Sequence, residues 1–379
     1  MTLMVRDEAD IIAAMLDHHI KQGVDLFIAT DNGSVDGTAE ILQTYADRGL
    51  VDLRHDPVHR KQQGVVVTQM ARDAATIHGA DWVLNADADE FWLPKEPGVT
   101  LHEVFSQIEP KIQAFLVDVI DMTGPPALSG TGLQRLCYRD QRTIAELNAV
   151  GLHSHSTPNA VHVGDPHISV VQGNHLVSLQ SLGSPPRELS LEVLHFPWRS
   201  WEQFSRKVGN AGRAYLNSSG LTPSPNHHGM RDYQRLLSDT LYPSYLYRHP
   251  TRDSLAAGLA TGSFVLDSRI SESITSPVDD HLPDDEASRD WKIGEVIGNL
   301  EFQITQLNAD LADQRVRHEE VLAELQAREI DHTAQAGALA NLAEREAEVR
   351  SLLQRIQARR IVRLTDRLAQ AFQRRARRE

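Results

Sequence analysis

Up to about residue 95 the chain alternates short apolar runs with amphipathic stretches, a rhythm that confines it to βαβ units on a mainly parallel sheet. Leu3-Met4-Val5 reads as a first strand, residues 9–22 as a helix ending at Gly23, and Leu26-Phe27-Ile28-Ala29 as a second strand. Residues 38–47 form a helix closed by Gly49, and Val51-Asp52-Leu53 a third strand. A helix over 64–78 and a strand at Trp82-Val83-Leu84 follow, and that strand delivers Asp87 at its carboxyl end. Ligands of parallel α/β sheets bind at that end.

From Pro94 to Thr275 the pattern is mixed. It predicts a helix over 101–108, a strand over 114–120, Pro- and Gly-rich loops, a His-rich stretch from His153 to His175, and helices over 201–216 and 232–237. Residues 276–290, with Pro277, Pro283 and several acids, read as a linker. Beyond it one heptad register runs from Ile297 through Leu300, Ile304, Leu307, Leu311, Val321, Leu325, Leu339, Leu342, Val349 and Leu353 to Ile356, which predicts a coiled coil. Gln314, His318, Arg328, His332, Gln335 and Glu346 interrupt the seam, and the alternative is a long amphipathic helix folded back on the preceding domain. The last residues reverse the sign of the charge, with Arg359, Arg360, Arg363, Arg367, Arg374, Arg375, Arg377 and Arg378 around an apolar stripe of Ile361, Leu364, Leu368 and Phe372.

A formal charge of −14 argues against general nucleic-acid binding, which draws on Lys and Arg at phosphates. A single cysteine, Cys137, excludes an internal disulfide framework and a Cys-based zinc cluster. Nothing approaches the about 20 apolar residues of a membrane span, so a cytoplasmic location is expected. The basic tail adds an expected peripheral contact with anionic lipid at the inner face of the cell membrane, against the plainer readings of a solvated helix end or a tail paired with the acidic body.

The strongest chemical signal is Asn85-Ala86-Asp87-Ala88-Asp89-Glu90-Phe91. Two carboxylates two residues apart at a strand end reach one hard cation, and magnesium or manganese takes a few carboxylates together with substrate phosphates. Acid clusters on loops are otherwise solvated turns. A second signal, Asp31-Asn32-Gly33-Ser34-Val35-Asp36-Gly37-Thr38, follows the second strand. Its glycines permit a tight backbone, Asp31 can accept hydrogen bonds from a base or ribose, and Asp36 can cap the next helix. The alternative is an ordinary corner with an Asx turn.

Val5-Arg6-Asp7-Glu8-Ala9-Asp10-Ile11-Ile12, the loop from Thr30 to Thr38, and Asp87-Ala88-Asp89-Glu90-Phe91 resemble the three signatures of family 2 glycosyltransferases in order and rough spacing. The Asp-Glu-Phe ending and the His18-His19 pair are similar to a subgroup from bacterial polysaccharide loci, as are His195-Phe196-Pro197-Trp198-Arg199-Ser200-Trp201-Glu202-Gln203-Phe204 and Lys207. The resemblance implies an α/β fold of the GT-A type, a Rossmann-like nucleotide-diphospho-sugar transferase domain, followed by a C-terminal α-helical coiled coil. Best over about the first hundred residues, it implies a domain over 1–275, with a nucleotide-sugar-binding half at 1–95 and an acceptor-binding half at 96–275, to which the residue patterns above add the linker at 276–290, the coiled coil at 291–358 and the basic tail at 359–379. Arg6, Glu8, Asp31, Asn32, Asp36, Gln63 and Asp87 are expected to line the donor site, and Asp87, Asp89 and His195 to hold manganese or magnesium. The acceptor is a saccharide, a lipid-linked sugar or a protein, and the coiled coil makes a homo-oligomer. Two departures stand out: Asp7 replaces the usual Asn, and no acidic-pair signature for a catalytic base follows downstream.

The base is therefore sought by chemistry, since an inverting transfer needs a carboxylate at the acceptor hydroxyl. Glu192, just before His195, and Asp121, at the end of an apolar strand, are the candidates. Three rival readings remain. His153, His155, His162, His167 and His175 suggest a histidine-ligated metallohydrolase, although no helix-face pair is present. Asp87 and Asp89 also suit a phosphatase, but Phe91 stands where such enzymes carry Thr or Val. The third is a non-catalytic coiled-coil scaffold.

Overall fold

The computed structural model describes residues 1–58, 60, 62–218, 228–274, 279–284 and 287–376. Its strands are β1 (Thr2–Val5), β2 (Phe27–Asp31), β3 (Val51–His55), β4 (Trp82–Ala86), β5 (Glu90–Pro94), β6 (Ala114–Thr123), β7 (Tyr138–Asp140), β8 (Asn159–Val163), β9 (Leu191–His195) and β10 (Phe264–Leu266). Between them lie α1 (Ile12–Lys21), α2 (Thr38–Ala46), α3 (Gln63–Thr76), α4 (Leu101–Phe105), α5 (Ile144–Ala149), α6 (Trp201–Leu216), α7 (His228–Leu237), α8 (Leu241–Arg248) and α9 (Arg252–Thr261). The chain continues through α10 (Arg269–Ser273) to the long α11 (Ala287–Ala376).

The expected βαβ rhythm produces a parallel set in the order β4-β1-β2-β3. Strands run one way from β1 to β3, and β4 then returns to the other side of β1. A crevice opens where the order reverses, outside the carboxyl ends of β1 and β4. The second half adds antiparallel strands that the sequence reading did not resolve. β8 pairs antiparallel with β4, and β6 pairs with β8 through Ala114–Val117 and with β9 through Asp118–Asp121. β5 pairs antiparallel with β9, so that Glu90 faces His195 across the ladder.

Both faces of the parallel set are covered. Ile12, Met15, Leu16 and His19 recur at helical spacing on α1 and are buried, packing with Leu42 and Tyr45 of α2 against Leu3, Phe27, Phe91 and Trp92. On the opposite face Val67, Met70, Ala71 and Ala74 of α3 meet Ile28 and Val83. A third cluster, Phe204, Val208, Tyr233, Leu241, Tyr245 and Leu246, joins α6, α7 and α8.

The adjacent His18 and His19 clamp one residue of β5, Trp92, at both its backbone N–H and its C=O. His19 Nδ1 donates to the Met15 carbonyl at 2.8 Å, which leaves Nε2 to accept the Trp92 N–H at 3.1 Å. His18 Nε2 donates to the Trp92 carbonyl at 2.8 Å. Protonating His19 would set two donors against each other. Burial, followed by the charge of His18, holds His19 well below the usual histidine range, and burial pushes His18 down to about 4.

The first compact unit extends to Gln303, so the opening of α11, from Ala287, belongs to it. Trp291 packs edge-on against Tyr247, and Glu301 pairs with Arg231 and Arg235. Gly294 and Gly298, four residues apart, lie so close to Pro243, Tyr247 and Val150 that neither position has room for a side chain. Within the stretch read as a linker, Asp280 accepts from Arg135 Nε at 2.9 Å and from the Gly132 N–H at 3.0 Å, while 275–278 and 285–286 lie outside the described residues. The second unit, Ile304–Glu379, is helical through Ala376 and exposes Leu307, Leu311, Leu325 and Leu353. The side chains of Phe372, Arg374 and Arg375, and residues Arg377 and Arg378, lie outside the description. Among the described residues no helix is long and apolar enough to cross a membrane.

Two outcomes follow from this architecture. His18 is lowered from 6.5 to about 4, so it contributes stability above pH 6.5 that is lost as pH falls towards 4. Urea unfolding at pH 7 and pH 5 should show His18→Gln losing about 2 kcal/mol less than wild type on acidification, and equal losses would contradict a neutral buried imidazole. Light scattering should give a lower mass per particle, in protomer equivalents, for a chain ending at Gln303 than for the full chain, because an unpartnered Leu and Ile seam favours association. That shorter chain should keep its fold, whereas one ending before Arg289 loses the Trp291 and Glu301 contacts and melts earlier.

Candidate active site

The two loops on the parallel side are stitched to each other by their own polar groups. After β1, Asp7 adopts φ 56°, a left-handed backbone that Asp tolerates better than most residues. Its carboxylate accepts the Val35 N–H at 2.8 Å and the Asn210 amide at 2.7 Å, and its own N–H donates to Ser34 Oγ at 3.0 Å. Arg6 donates to the Asn32 carbonyl, and the Glu8 N–H to Thr38 Oγ1 at 2.9 Å. After β2, the Asp31 carboxylate accepts from the N–H groups of Gly33 and Ser34 at 3.2 Å each, an Asx-type turn. Asn32 donates to the carbonyls of Asp56 and Val58, tying the end of β2 to the end of β3. Asp36 accepts from the Thr38 N–H at 3.1 Å and the Ala9 N–H at 3.1 Å. Gly33 and Gly37 take φ of 71° and 98°, which explains glycine at both positions.

Asp87, Ala88 and Asp89 make the short connection from β4 to β5. Ala88 turns into the core while Asp87 accepts from Gln63 Nε2 at 2.9 Å and Asn174 Nδ2 at 3.2 Å. Glu90, fully inside, accepts the Asp87 N–H at 3.1 Å and Asn159 Nδ2 at 2.8 Å. Burial and then the Asp87 charge push Glu90 up to about 8, and burial and then the Asp89 charge raise Asp87.

Asp89 is 1 % exposed and lies among three cations. Lys207 Nζ sits 2.5 Å from Oδ2, and His195 Nε2 and Arg199 lie 3.6 Å away. Burial alone would raise its carboxyl, but Lys207 and His195 outweigh that and hold it well below the carboxylate range. His195 Nδ1 is 2.8 Å from Asp121 Oδ1, which in turn accepts from Ser156 and lies 3.2 Å from His155. Burial would lower His195, yet the Asp89 charge and the Asp121 bond raise it to about 10, so the imidazole carries a proton at neutral pH.

The structure brings Asp87, Asp89, His195, Gln63 and Asp121, expected in separate roles, near one another, and adds residues the sequence reading did not rank. Arg199 is 0 % exposed and pairs with Glu8 and Asp10 besides Asp89. Arg206, Lys207 and Asn210 lie one turn apart on α6, whose N-cap Ser200 accepts the Gln203 N–H. Arg206 reaches Asp36 at 3.5 Å. The signal was present in the run from His195 to Lys207, where the spacing of 203, 206, 207 and 210 marks one helix face.

Glu192 is placed elsewhere. Its strand partners are Leu93 and Asp118, and its carboxylate is held by Arg139 at 2.9 and 3.0 Å and by Arg269. Burial would raise its carboxyl, but the two guanidinium groups keep it low, which makes it an ion-pair acid and a poor base. Asp121 meets the cluster through His195, His155 and Ser156, which take up its carboxylate oxygens. The five histidines do not converge: His155 serves Asp121, His175 approaches Asn159, His162 bonds the Val163 carbonyl, His153 approaches Asp232 and His167 is exposed.

Among the described residues no three His, Cys, Asp or Glu side chains enclose a metal. Magnesium and manganese commonly bind one or two carboxylates and complete their shell with substrate oxygens, and Asp87 and Asp89 are the carboxylates here that match that donor set. Asn174 Oδ1, buried without a hydrogen-bond partner beside Asp87, is a further hard oxygen in that corner.

Residues 2–118 match the model of glycosyltransferase family 92. The match supports a glycosyltransferase, and the family it points to is 92 rather than the family 2 that the motifs resemble. It covers β1 through the first half of β6, including the crevice and the Asp87-Ala88-Asp89 connection. No curated protein matches the chain. Solved structures that are similar include S. aureus TarS 1-349, at 14 % identity over 68 % of this chain and 73 % of that one with a TM-score of 0.33. S. aureus TarS matches at 13 % identity over 68 % of this chain and 44 % of that one, TM-score 0.29. S. aureus TarS 1-349 in complex with UDP-GlcNAc matches at 14 % identity over 69 % and 75 %, TM-score 0.33. Likenesses this distant carry no argument about function.

Proposed function

We propose that this chain is a glycosyltransferase of the GT-A type, moving a sugar from a nucleotide-diphospho-sugar to a hydroxyl of a saccharide, lipid-linked or protein acceptor, in polysaccharide or glycoconjugate synthesis. One observation carries the reading. Two carboxylates, Asp87 and Asp89, stand at the switch point of a parallel sheet, opposite a cationic group formed by His195, Arg199 and Lys207. The family-model match over residues 2–118 supports it.

A divalent cation, manganese or magnesium, would be held by Asp87 and Asp89 and would supply charge neutralisation for the departing diphosphate. The chain's own residues do the rest. The loops after β1 and β2 offer Arg6, Glu8 and the turn around Asp31 to the nucleotide, fixed in place by their mutual hydrogen bonds. Gln63 and Asn174 orient Asp87. His195, positively charged and held by Asp121, and Lys207 face the side on which negative charge grows as the nucleotide leaves. Neither Glu192, held by Arg139 and Arg269, nor Asp121, held by His195, His155 and Ser156, presents a free carboxylate to an acceptor hydroxyl.

Asp87→Asn should lower kcat/KM for a nucleotide-sugar donor by about 100-fold or more while leaving the melting temperature near wild type, because it keeps shape and removes charge. Asp89→Asn should abolish transfer too, but with a loss of about 3 kcal/mol in stability, since it leaves three cations facing a neutral amide. A panel of uridine and guanosine diphosphate sugars, assayed with manganese and with chelator, reads both effects. Wild-type turnover by Asp87→Asn would sink the assignment.

A further inference from the structure

The three cations around Asp89 are not held alike. Arg199 is fully buried, and Glu8, Asp10 and the Phe196 carbonyl fix its guanidinium. His195 is pinned through Nδ1 to Asp121. Lys207 differs: its side chain is 43 % exposed, it hangs on a flexible four-carbon stem, and among the described residues its one ion pair is with Asp89 Oδ2 at 2.5 Å. It reaches Asp89 from α6, the helix whose Asn210 and Arg206 also bond Asp7. A compact ammonium thus sits at Asp89 Oδ2, the oxygen that His195 Nε2 and Arg199 Nη1 approach more distantly at 3.6 Å, and of the three cations it alone can leave by rotating a half-exposed side chain.

We propose that Lys207 is a built-in counter-cation of Asp89, which competes with a divalent metal for that carboxylate and is drawn off it by the diphosphate of the donor. The inference rests on the reading of the site as one for a nucleotide-diphospho-sugar. An ammonium and a metal ion cannot share Asp89 Oδ2 at contact distance without strong like-charge repulsion. A diphosphate offers Lys207 a more negative partner, and its transfer exposes the oxygen. Metal and donor therefore help each other to bind, and the coupling is reciprocal. The arrangement also keeps a loosely filtered cation from settling in the site ahead of the donor.

The test uses the full chain with three probes: manganese alone, UDP alone, and UDP with manganese. Bound manganese is read by loss of its free paramagnetic resonance signal, UDP by calorimetry, and folding by thermal melting. Wild type should bind manganese about tenfold more tightly with UDP than without it. Lys207→Met should bind manganese alone about tenfold more tightly than wild type, bind UDP less well in chelator, and show little coupling between the two. Lys207→Arg keeps the charge and should keep the low affinity for manganese alone. Equal manganese affinity in all three proteins overturns the proposal, and so does the absence of manganese binding in every state. If Lys207→Met gains manganese affinity but no variant binds UDP under any condition, the competition at Asp89 stands and the nucleotide-sugar reading fails.

Discussion

The buried guanidinium of Arg199 holds together the carboxylate cluster at the crevice of the sheet. It bonds Asp10 through Nε and NH2, Glu8 through NH2, and lies 3.6 Å from Asp89, so one side chain joins the loop after β1, the start of α1 and the turn between β4 and β5. Its own carbonyl is taken by Arg135, which Asp280 holds in turn. Placing a full charge where no water reaches costs several kcal/mol, and only carboxylates in good geometry offset it. The reverse also holds. Glu8 relies on it for charge compensation, and burial still raises the Glu8 carboxyl despite that partner. Residues near 8, 89 and 199 must therefore assemble together, which makes the site a product of both halves of the first unit.

Around that anchor the electrostatics are nearly balanced rather than strongly negative. Asp87 and Glu90 are pushed towards their neutral forms by burial and by neighbouring acids, while Asp89 is pushed towards its charged form by Lys207 and His195. Carboxylates a few residues apart thus have opposite tendencies, set by what faces them. Asp121 extends the pattern one step outward by fixing the ring of His195.

The parallel half was legible from the sequence because each of its elements carries a local signal: apolar triplets for β1 and β4, period-3.6 burial in α1 and α3, and glycines at 23, 49 and 33 where the backbone turns left-handed. Asp87 and Asp89 were legible because a strand end and a spacing of two decide their direction. The second half was not, for a physical reason. β5, β8 and β9 are short strands whose partners lie far along the chain, and Phe91, read as the tail of a motif, is with Trp92 a core residue on a strand fixed by pairing with Leu194 and Val193. Glu192 looked available beside His195, but alternation along β9 and the distant Arg139 and Arg269 decide its role, and no local pattern announces those partners. Arg199 and Lys207 were visible as residue types and silent as to charge partners.

The paired histidines of α1 have a consequence for how the sheet meets other molecules. β5 pairs with β9 on one side, and its opposite edge carries the Trp92 N–H and C=O that His19 and His18 occupy. An uncovered edge is a template on which a foreign strand can dock and begin aggregation. Side-chain imidazoles imitate the missing neighbour there, and they do so with a helix that offers no continuing ladder. The sheet is thereby finished at that border without a further strand.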